Sequence, residues 1–320
     1  MNKVIIIGAG QLGSRHLQGA LLSKNELHIT VVDPSAESLN VAEKRAREVE
    51  LANQYTSVIY CKDLPKNEAY DVCIIATSAN IRASVTEKLL SHNEVRNIVF
   101  EKVLFQKLDD YEGIDKLLKS KLTKGWVNCP RRLFPTYQTL KEELDLSLPV
   151  HMTVNGNGWG MACNSVHFLD LFTYLINSSS MQLSEAELDK ELIKSKREGF
   201  LEVTGQLSFS IGEHTLEICC GKGSNLNLDL SIKNGEMYHF VNEIEGIRTK
   251  VYNGSKEQFS HRALFQSELT GQTVDELISH NSCGLTPFVQ SCEIHTPFIN
   301  ALIKHMSIVL GKELDECPIT

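Results

Sequence analysis

The sequence predicts a doubly wound α/β domain followed by an α+β domain with an open, mainly antiparallel sheet. In the first third of the 320 residues, apolar runs such as 4–7 (VIII) and 71–76 (DVCIIA) alternate with helical stretches. This alternation is typical of parallel strands that are buried on both faces. Residues 201–251 form consecutive strand patterns instead, with the hairpin signal Asn234-Gly235 between two of them. Two domains also suit the length, at roughly 150 residues per domain.

Each predicted element follows from its apolar period and its flanking turn residues. Strands are predicted at 4–7, 28–32, 58–60, 71–76, 97–101, 126–128 and 150–155, and helices at 14–22, 35–51, 83–91, 108–120, 135–144, 163–176, 265–278 and 288–310. The domain boundary is placed between residues 125 and 126. We expect the last helix of the second domain, 126–320, to pack back on the first domain, 1–125.

Composition excludes several classes of function. The net charge of −8 argues against non-specific nucleic-acid binding, which needs a basic surface. No apolar run approaches the roughly 20 residues of a membrane-spanning helix, so no membrane partner is expected. The nine cysteines include no C-x-x-C pair and no metal-ligand spacing. They predict a reducing, cytoplasmic location and no metal site.

The glycine loop GAGQLG is the strongest chemical signal. It follows the first strand, opens a helix, and is followed 20 residues after Gly13 by Asp33, which is the dinucleotide-binding pattern of a Rossmann domain. In that pattern Gly8 makes the tight turn, Gly10 admits the pyrophosphate, and Gly13 allows close packing of helix on strand. Asp33 would accept from a ribose 2′-hydroxyl and repel a 2′-phosphate, so NAD is the predicted cofactor. The predicted cofactor-binding residues of the loop are Gly8, Gly10, Gln11, Leu12 and Gly13. The alternative is a domain of this fold that has lost its nucleotide.

Two further strand ends carry candidate residues, because ligands of such sheets bind outside the carboxyl ends of the strands. Thr77, Ser78 and Asn80 follow the fourth strand and are predicted to line the cofactor, with an ordinary capped turn as the alternative. Glu101 and Lys102 follow the fifth strand. Lys102 is a candidate for proton transfer and Glu101 for cofactor binding. The alternative is a solvated lysine paired with Glu101.

Taken together, GAGQLGSRH, ATSAN, Glu-Lys and the antiparallel second domain resemble the Gfo/Idh/MocA oxidoreductases, the glucose–fructose oxidoreductase and inositol dehydrogenase group. The segment 285–302 is similar to the late helix of that family. The resemblance implies that Lys102 is the catalytic or substrate-orienting lysine of the family's Glu-Lys-Pro motif, with Val103 in place of proline. Because a bond that does not precede proline is rarely cis, the backbone at Lys102 is expected to differ from the family's.

The same resemblance implies a catalytic histidine at His167. The family's acid four residues earlier is replaced by Cys163, and Asn164 is the nearest polar neighbour, so both are predicted to contact substrate. Asp170 matches a second acid of the family. At i, i+3 it would share a helix face with His167 and fix the imidazole tautomer. A core histidine satisfied by that carboxylate is the alternative.

Two further features are predicted to bind substrate. Arg131 or Arg132, in an Asn-x-x-Arg-Arg stretch similar to one in the family, would hold an anionic group with its guanidinium fork. The alternative is a solvated or interdomain-pairing arginine. Trp159, between glycines, would stack on a sugar or base, or else anchor a dimer contact.

The leading functional prediction is an NAD-dependent dehydrogenase of the CH-OH class that acts on a sugar, sugar nucleotide or cyclitol. The first alternative is an enzyme that recycles bound NAD during elimination or glycoside hydrolysis. The second is a non-catalytic sensor of dinucleotide and sugar. A homodimer or homotetramer through the second-domain sheet is expected, since residues 201–211 are apolar at alternate positions and would expose an apolar face.

Overall fold

A computed structural model describes residues 2–223 and 226–320 of the chain. Strands and helices alternate through the first part. The elements are β1 (Asn2–Ile7), α1 (Gln11–Ala20), β2 (Leu27–Val32), α2 (Ala36–Ala46), β3 (Ser57–Cys61), β4 (Ala69–Ile75), α3 (Ala79–His92), β5 (Glu94–Phe100), α4 (Leu108–Ser120) and β6 (Lys124–Val127).

Strands dominate the remainder. A 3-10 turn (Pro130–Leu133) is followed by α5 (Pro135–Glu143), β7 (Val150–Asn157), α6 (Met161–Ile176), β8 (Gln182–Leu188), β9 (Ile193–Lys194), β10 (Leu201–Glu202), β11 (Gly205–Ile211), β12 (His214–Gly221), β13 (Asn227–Asn234), β14 (Met237–Asn242), β15 (Ile247–Tyr252), β16 (Ser255–Ser260), α7 (Gln266–His280), β17 (Thr286–Pro287) and α8 (Phe288–Leu310).

The chain divides into two compact units. The first comprises the chain up to Phe105, then Asp109–Asn128 and Leu264–Val289. The second comprises Gln106–Leu108, Cys129–Ala263 and Gln290–Thr320. The first unit is therefore built from separate stretches of sequence, and it includes α7 and β17.

The first unit is organised around a seven-stranded sheet in the order β17-β6-β5-β4-β1-β2-β3. All pairs are parallel except that of the edge strand β17. This arrangement confirms the predicted doubly wound Rossmann domain. Helix α7 packs against α1 at very short range, because a Cβ on Gly19 would lie 2.8 Å from Cβ of Thr270. Only glycine admits this approach of the two helices.

The second unit contains an eight-stranded sheet in the order β16-β15-β14-β13-β7-β12-β11-β8. It is mainly antiparallel, as predicted, but β12 pairs parallel to β7. Strands β8 and β16 were not predicted, since their residues are mostly polar and exposed. The expectation of an exposed apolar face at 201–211 is wrong. Leu207, Phe209 and Ile211 are buried, whereas Ser208 and Ser210 occupy the open face.

Among the described residues, no helix combines the length and the apolar character that crossing a bilayer requires. None of the nine cysteines, all of which lie within the described residues, forms a disulfide bond.

Candidate active site

The glycine loop between β1 and α1 leaves an open, amide-lined space. Gly8 has φ of +94°, and a Cβ on Gly13 would lie 1.7 Å from the carbonyl oxygen of Gly8, so both positions require glycine. A Cβ on Gly10 would meet no atom within 4 Å. Gly10 is also the N-cap of α1, where the first amides have no intrahelical partner. A pyrophosphate fits this position, since bare amides and the helix dipole both favour an anion.

The two loop residues between these glycines take different positions. The side chain of Gln11 is exposed, and its Oε1 accepts from Nη2 of Arg45 at 2.5 Å. Leu12 is half-buried. The side chain of Gln11 is therefore held toward α2 by Arg45, and its amide N–H remains the group available to a phosphate.

Asp33 lies at the carboxyl end of β2 and is fixed beside the loop. Its Oδ2 accepts from the amide of Ala9 at 2.7 Å, and its Oδ1 accepts from the amide of Ser35 at 2.8 Å. Each carboxylate oxygen keeps a second lone pair. The half-buried carboxylate therefore suits a ribose hydroxyl next to the phosphate loop.

The carboxyl end of β4 offers unused hydrogen-bonding groups. Oγ1 of Thr77 is buried and has no hydrogen-bond partner among the described residues. A Cβ on Gly8 would lie 3.1 Å from the amide nitrogen of Thr77, so this strand end borders the glycine loop. Ser78 is the N-cap of α3 but makes no capping bond with its side chain, and Asn80 is exposed in the first turn. A buried hydroxyl without a partner is costly unless a ligand satisfies it, which fits a dinucleotide here.

Glu101 belongs to a closed ring of buried hydrogen bonds. Its Oε1 lies 2.8 Å from Nε2 of His16 and also accepts from Nδ2 of Asn128. Asn128 donates to Gln266 at 2.7 Å, Gln266 donates to Thr270 at 2.9 Å, and Oγ1 of Thr270 lies 3.0 Å from Nδ1 of His16. We call these five residues the buried polar ring. They connect α1, the ends of β5 and β6, and α7.

The ring keeps Glu101 ionised. Burial alone would raise its pKa, but the hydrogen bond and charge of His16, the hydrogen bond from Asn128 and the charge of Arg82 lower the pKa below its ordinary value. Because the carboxylate is only 3% exposed and faces the ring, its predicted contact with the cofactor gains no support.

Lys102 follows directly and is half-buried. The Lys102–Val103 peptide bond is cis, although no proline follows. The buried guanidinium of Arg82 donates to the carbonyls of Val103 and Leu104, and to that of Thr77 at the end of β4. Arg82 therefore fixes the backbone on the carboxyl side of Lys102, while the ring fixes Glu101 on the other side.

In the second unit, the start of α6 is tied to the loop before it. Nδ2 of Asn164 donates to the carbonyl of Trp159 at 2.8 Å, and Sγ of Cys163 lies 3.5 Å from that of Gly160. The Trp159 ring is buried edge-on against Phe168, and its Nε1 donates to the carbonyl of Cys219. This burial opposes the predicted stacking of Trp159 on a ligand.

His167 is half-buried in the second turn of α6, and Asp170 is buried one turn later. Both oxygens of Asp170 accept from Arg132, each at 2.9 Å, in a bidentate pair. Asp170 is therefore paired with an arginine, and its predicted role in fixing the His167 tautomer stays a prediction. The pair holds the 3-10 turn against α6.

Arg131 is likewise paired with a carboxylate, that of Glu243. Its Nε and Nη2 donate to Glu243 at 2.9 and 2.7 Å, and its guanidinium lies over the Phe168 ring. Tyr137 donates to the same carboxylate at 2.6 Å. Burial opposes both charges, yet their attraction and hydrogen bonds raise the pKa of Arg131 and lower that of Glu243. Arg131 is thus neither solvated nor arranged as an open anion clamp, and its predicted binding of substrate is unsupported.

Among the described residues, no group of three or more histidine, cysteine or acidic side chains is arranged to hold a metal ion.

Comparison with known proteins identifies the first unit. Residues 2–128 match the Gfo/Idh/MocA model, described as an oxidoreductase family with an NAD-binding Rossmann fold. The family is NAD-binding, which confirms the predicted cofactor. No curated protein matches the sequence at a significant level.

Solved structures resemble this chain over nearly its whole length. UDP-N-acetylglucosamine 3-dehydrogenase from Acidithiobacillus ferrooxidans is 12% identical, with a TM-score of 0.70 over 94% of this chain and 96% of that one. A Gfo/Idh/MocA family oxidoreductase from Vibrio cholerae is 12% identical, with a TM-score of 0.70 over 98% and 100%. An Agrobacterium radiobacter oxidoreductase in complex with NAD+, L-tartaric acid and magnesium is 12% identical, with a TM-score of 0.69 over 93% and 94%. At these identities the likeness establishes the fold.

Proposed function

We propose that the chain is an NAD-dependent dehydrogenase that acts on a secondary hydroxyl of a sugar, sugar nucleotide or cyclitol. The observation that carries the proposal is the dinucleotide cradle of the first unit. Open space adjoins Gly10, the carboxylate of Asp33 is fixed beside Ala9, and Oγ1 of Thr77 is buried without a partner among the described residues. The fold likeness to a UDP-N-acetylglucosamine dehydrogenase supports the sugar class.

We propose a role in NAD binding for each of these groups. The amides after Gly10 would hold the pyrophosphate, Asp33 the adenosine ribose, and Thr77, with Ser78 and Asn80, the remaining polar groups of NAD. When bound, NAD supplies a hydride acceptor or donor.

The proton of the substrate hydroxyl is proposed to be transferred by side chains of the protein. Lys102 and His167 are proposed to orient the substrate hydroxyl and to exchange its proton. Cys163 and Asn164 are proposed as uncharged neighbours of that hydroxyl. Asp170 is proposed as a positioning residue that acts through Arg132. Arg82 and the buried polar ring hold the backbone that carries Lys102.

We also propose a dimer through the open face of the second-unit sheet. A groove of about 430 Å³ on this face is lined partly by Phe240 and Ile247, which are 47% and 36% exposed. Exposed apolar side chains that line one groove favour a protein partner. A cytoplasmic location is proposed as well, because none of the nine cysteines, all within the described residues, forms a disulfide bond.

The test is turnover with NAD and a panel of sugars, sugar nucleotides and cyclitols, followed by NADH absorbance and by product analysis. Net NADH that rises with product is expected. Product without NADH would favour recycling of bound NAD, and NAD binding without turnover of any substrate would favour a sensor. Failure to bind NAD in isothermal titration would refute the cradle itself.

A further inference from the structure

The second unit contains a polar cavity of about 420 Å³ at the carboxyl end of α6. Arg132 and Lys141 contribute two cations to its lining, and Ser178 and Ser180 contribute hydroxyls. Among the described residues, no carboxylate lines this cavity. The charged side chains that line it are therefore cations, although Arg132 is paired with Asp170 and the hydroxyl of Ser179 donates to Glu293.

The two cations keep unused donors. Nε and Nη2 of Arg132 donate to Asp170, while Nη1 donates to none of the described residues. Lys141 makes no ion pair within the described part of the chain. Its Nζ lies 3.9 Å from the Tyr174 ring centroid, and the Arg132 guanidinium carbon lies 5.2 Å from the same point. The cationic groups are therefore no more than about 9 Å apart.

The nearby charge of Arg132 disfavours the protonated form of Lys141. Burial, and then the charge of Arg132, lower the pKa of Lys141 below its ordinary value. The α6 helix ends at Ile176, and its terminal carbonyls favour one nearby cation. These carbonyls explain one cation at this position. They explain neither a second cation, nor an Nη1 of Arg132 that donates to none of the described residues, nor the hydroxyls in the cavity. Asp170 already neutralises Arg132, so an anion would balance the remaining charge of Lys141.

We propose that this cavity binds a phosphate group, either inorganic phosphate or a small phosphate monoester. A guanidinium edge, an ammonium and hydroxyl donors match the acceptor oxygens of phosphate. The cavity volume falls within the range of small-molecule sites, so it also accommodates the sugar of a monoester. The site uses second-unit residues only, and its existence does not depend on the proposed dehydrogenase activity.

Isothermal titration tests the site at constant ionic strength, with saturating NAD present so that the glycine loop of the first unit is occupied. Inorganic phosphate and glucose 6-phosphate are the probes. The variants are Lys141→Gln and, as the matched control, Lys304→Gln, which removes an exposed lysine of α8 in the same unit. Lys141→Gln is expected to weaken binding at least tenfold, and Lys304→Gln to leave it unchanged.

The two probes separate the possible sources of the phosphate. Tighter binding of glucose 6-phosphate indicates a monoester, whereas equal affinities indicate free phosphate. Thermal unfolding with and without phosphate excludes a purely structural lysine, because that role lowers the Tm of Lys141→Gln equally in both buffers. Equal affinity in wild type and Lys141→Gln, or no phosphate binding at all, overturns the proposal.

Discussion

His16 and Glu101 meet in the interior of the first unit, with Nε2 of the imidazole 2.8 Å from Oε1 of the carboxylate. Oγ1 of Thr270 lies 3.0 Å from Nδ1 of His16 and 2.9 Å from the carbonyl of Gln266, yet it has a single proton to donate. If that proton goes to the carbonyl, Nδ1 of His16 must be the donor in its contact with Oγ1. The hydrogen-bonding role of Nδ1 and the orientation of the Thr270 hydroxyl are therefore linked.

The first prediction concerns the stability of the buried polar ring. Glu101→Ala leaves His16 and Asn128 without their shared acceptor, so the free energy of unfolding should fall by about 3 kcal/mol. Urea unfolding of Glu101→Ala, His16→Ala and the double variant should give a coupling energy of about 1–3 kcal/mol. Glu94→Ala, at an exposed position of the same strand, is the control and should change stability by about 0.5 kcal/mol or less. Additive single effects would contradict the ring.

Turnover tests the proposed chemistry. Lys102→Ala and His167→Ala should each lower kcat by about 10²- to 10⁴-fold, because general acid–base groups contribute on this scale. If both act on one proton, the double variant should be little worse than the poorer single variant. The NAD dissociation constant should change by no more than about three-fold, since neither residue belongs to the phosphate loop or the ribose acid. A large loss of NAD affinity in both single variants would count against these roles.

Cofactor preference depends on Asp33. The wild type should bind NAD more tightly than NADP, because the carboxylate accepts from a 2′-hydroxyl and repels a 2′-phosphate. Asp33→Asn retains an acceptor for the Ala9 amide but removes the charge, so the preference should fall by about tenfold. Isothermal titration of both dinucleotides measures the ratio. Asp71→Asn, at the amino end of β4, is the charge-matched control. Tighter binding of NADP by the wild type would refute the assignment.

The proposed dimer depends on the open face of the second-unit sheet. We expect a dimer at micromolar concentration in light scattering. Phe240→Glu should yield monomers, because it places a charge in the apolar part of the groove. Ile308→Glu, at a position that is 80% exposed in α8, should leave the dimer intact. A wild-type monomer, or equal effects of both substitutions, would exclude this face as the interface.

The last prediction concerns acid stability. His239 is fully buried on β14, facing Glu143 from α5 and the cations Arg248 and Lys250 from β15. Burial, then the charge of Arg248, lower its pKa from 6.5 to about 4.

The unfolded chain therefore binds a proton at His239 at higher pH than the folded chain does. The stabilising contribution is complete above pH 6.5 and is lost as the pH falls toward about 4, by up to about 3 kcal/mol. Urea midpoints at pH 7 and pH 4.5 should differ less in His239→Gln than in the wild type. If the difference between the two urea midpoints is the same in His239→Gln as in the wild type, groups other than His239 cause the loss of stability at low pH.

Local sequence was sufficient for much of the fold. The run Val4–Ile7 is buried and central, and the turn after it needs glycine at Gly8 and Gly13 for steric reasons that act over a few residues. Asp33 could be predicted because its distance from the loop follows from one βαβ unit. Helix α1 begins at Gln11, three residues earlier than predicted, since Gly10 serves as its N-cap.

Partners that are distant in sequence could not be predicted. Thr270 lies 254 residues from His16 and Glu243 lies 112 from Arg131, and neither pairing leaves a local pattern. Arg131 and Asp170 have the residue types of a substrate site, but buried partners of opposite charge hold both. Leu207 and its alternate neighbours have the correct period for a strand. Period alone does not specify which face meets the core.

Helix α7 belongs to the first unit but follows the second-unit stretch Cys129–Ala263 in the sequence, so the ribosome synthesises it after that stretch. A ribosome that has synthesised residues 1–128 has completed every strand of the nucleotide-binding sheet except β17, yet Gln266 and Thr270 of the buried polar ring are still more than a hundred codons away. The α1 surface that receives α7 remains uncovered throughout synthesis of the second sheet. The first unit is therefore incomplete during synthesis of the second sheet. The buried polar ring, which fixes Glu101 next to Lys102, can form only after Gln266 and Thr270 have been synthesised.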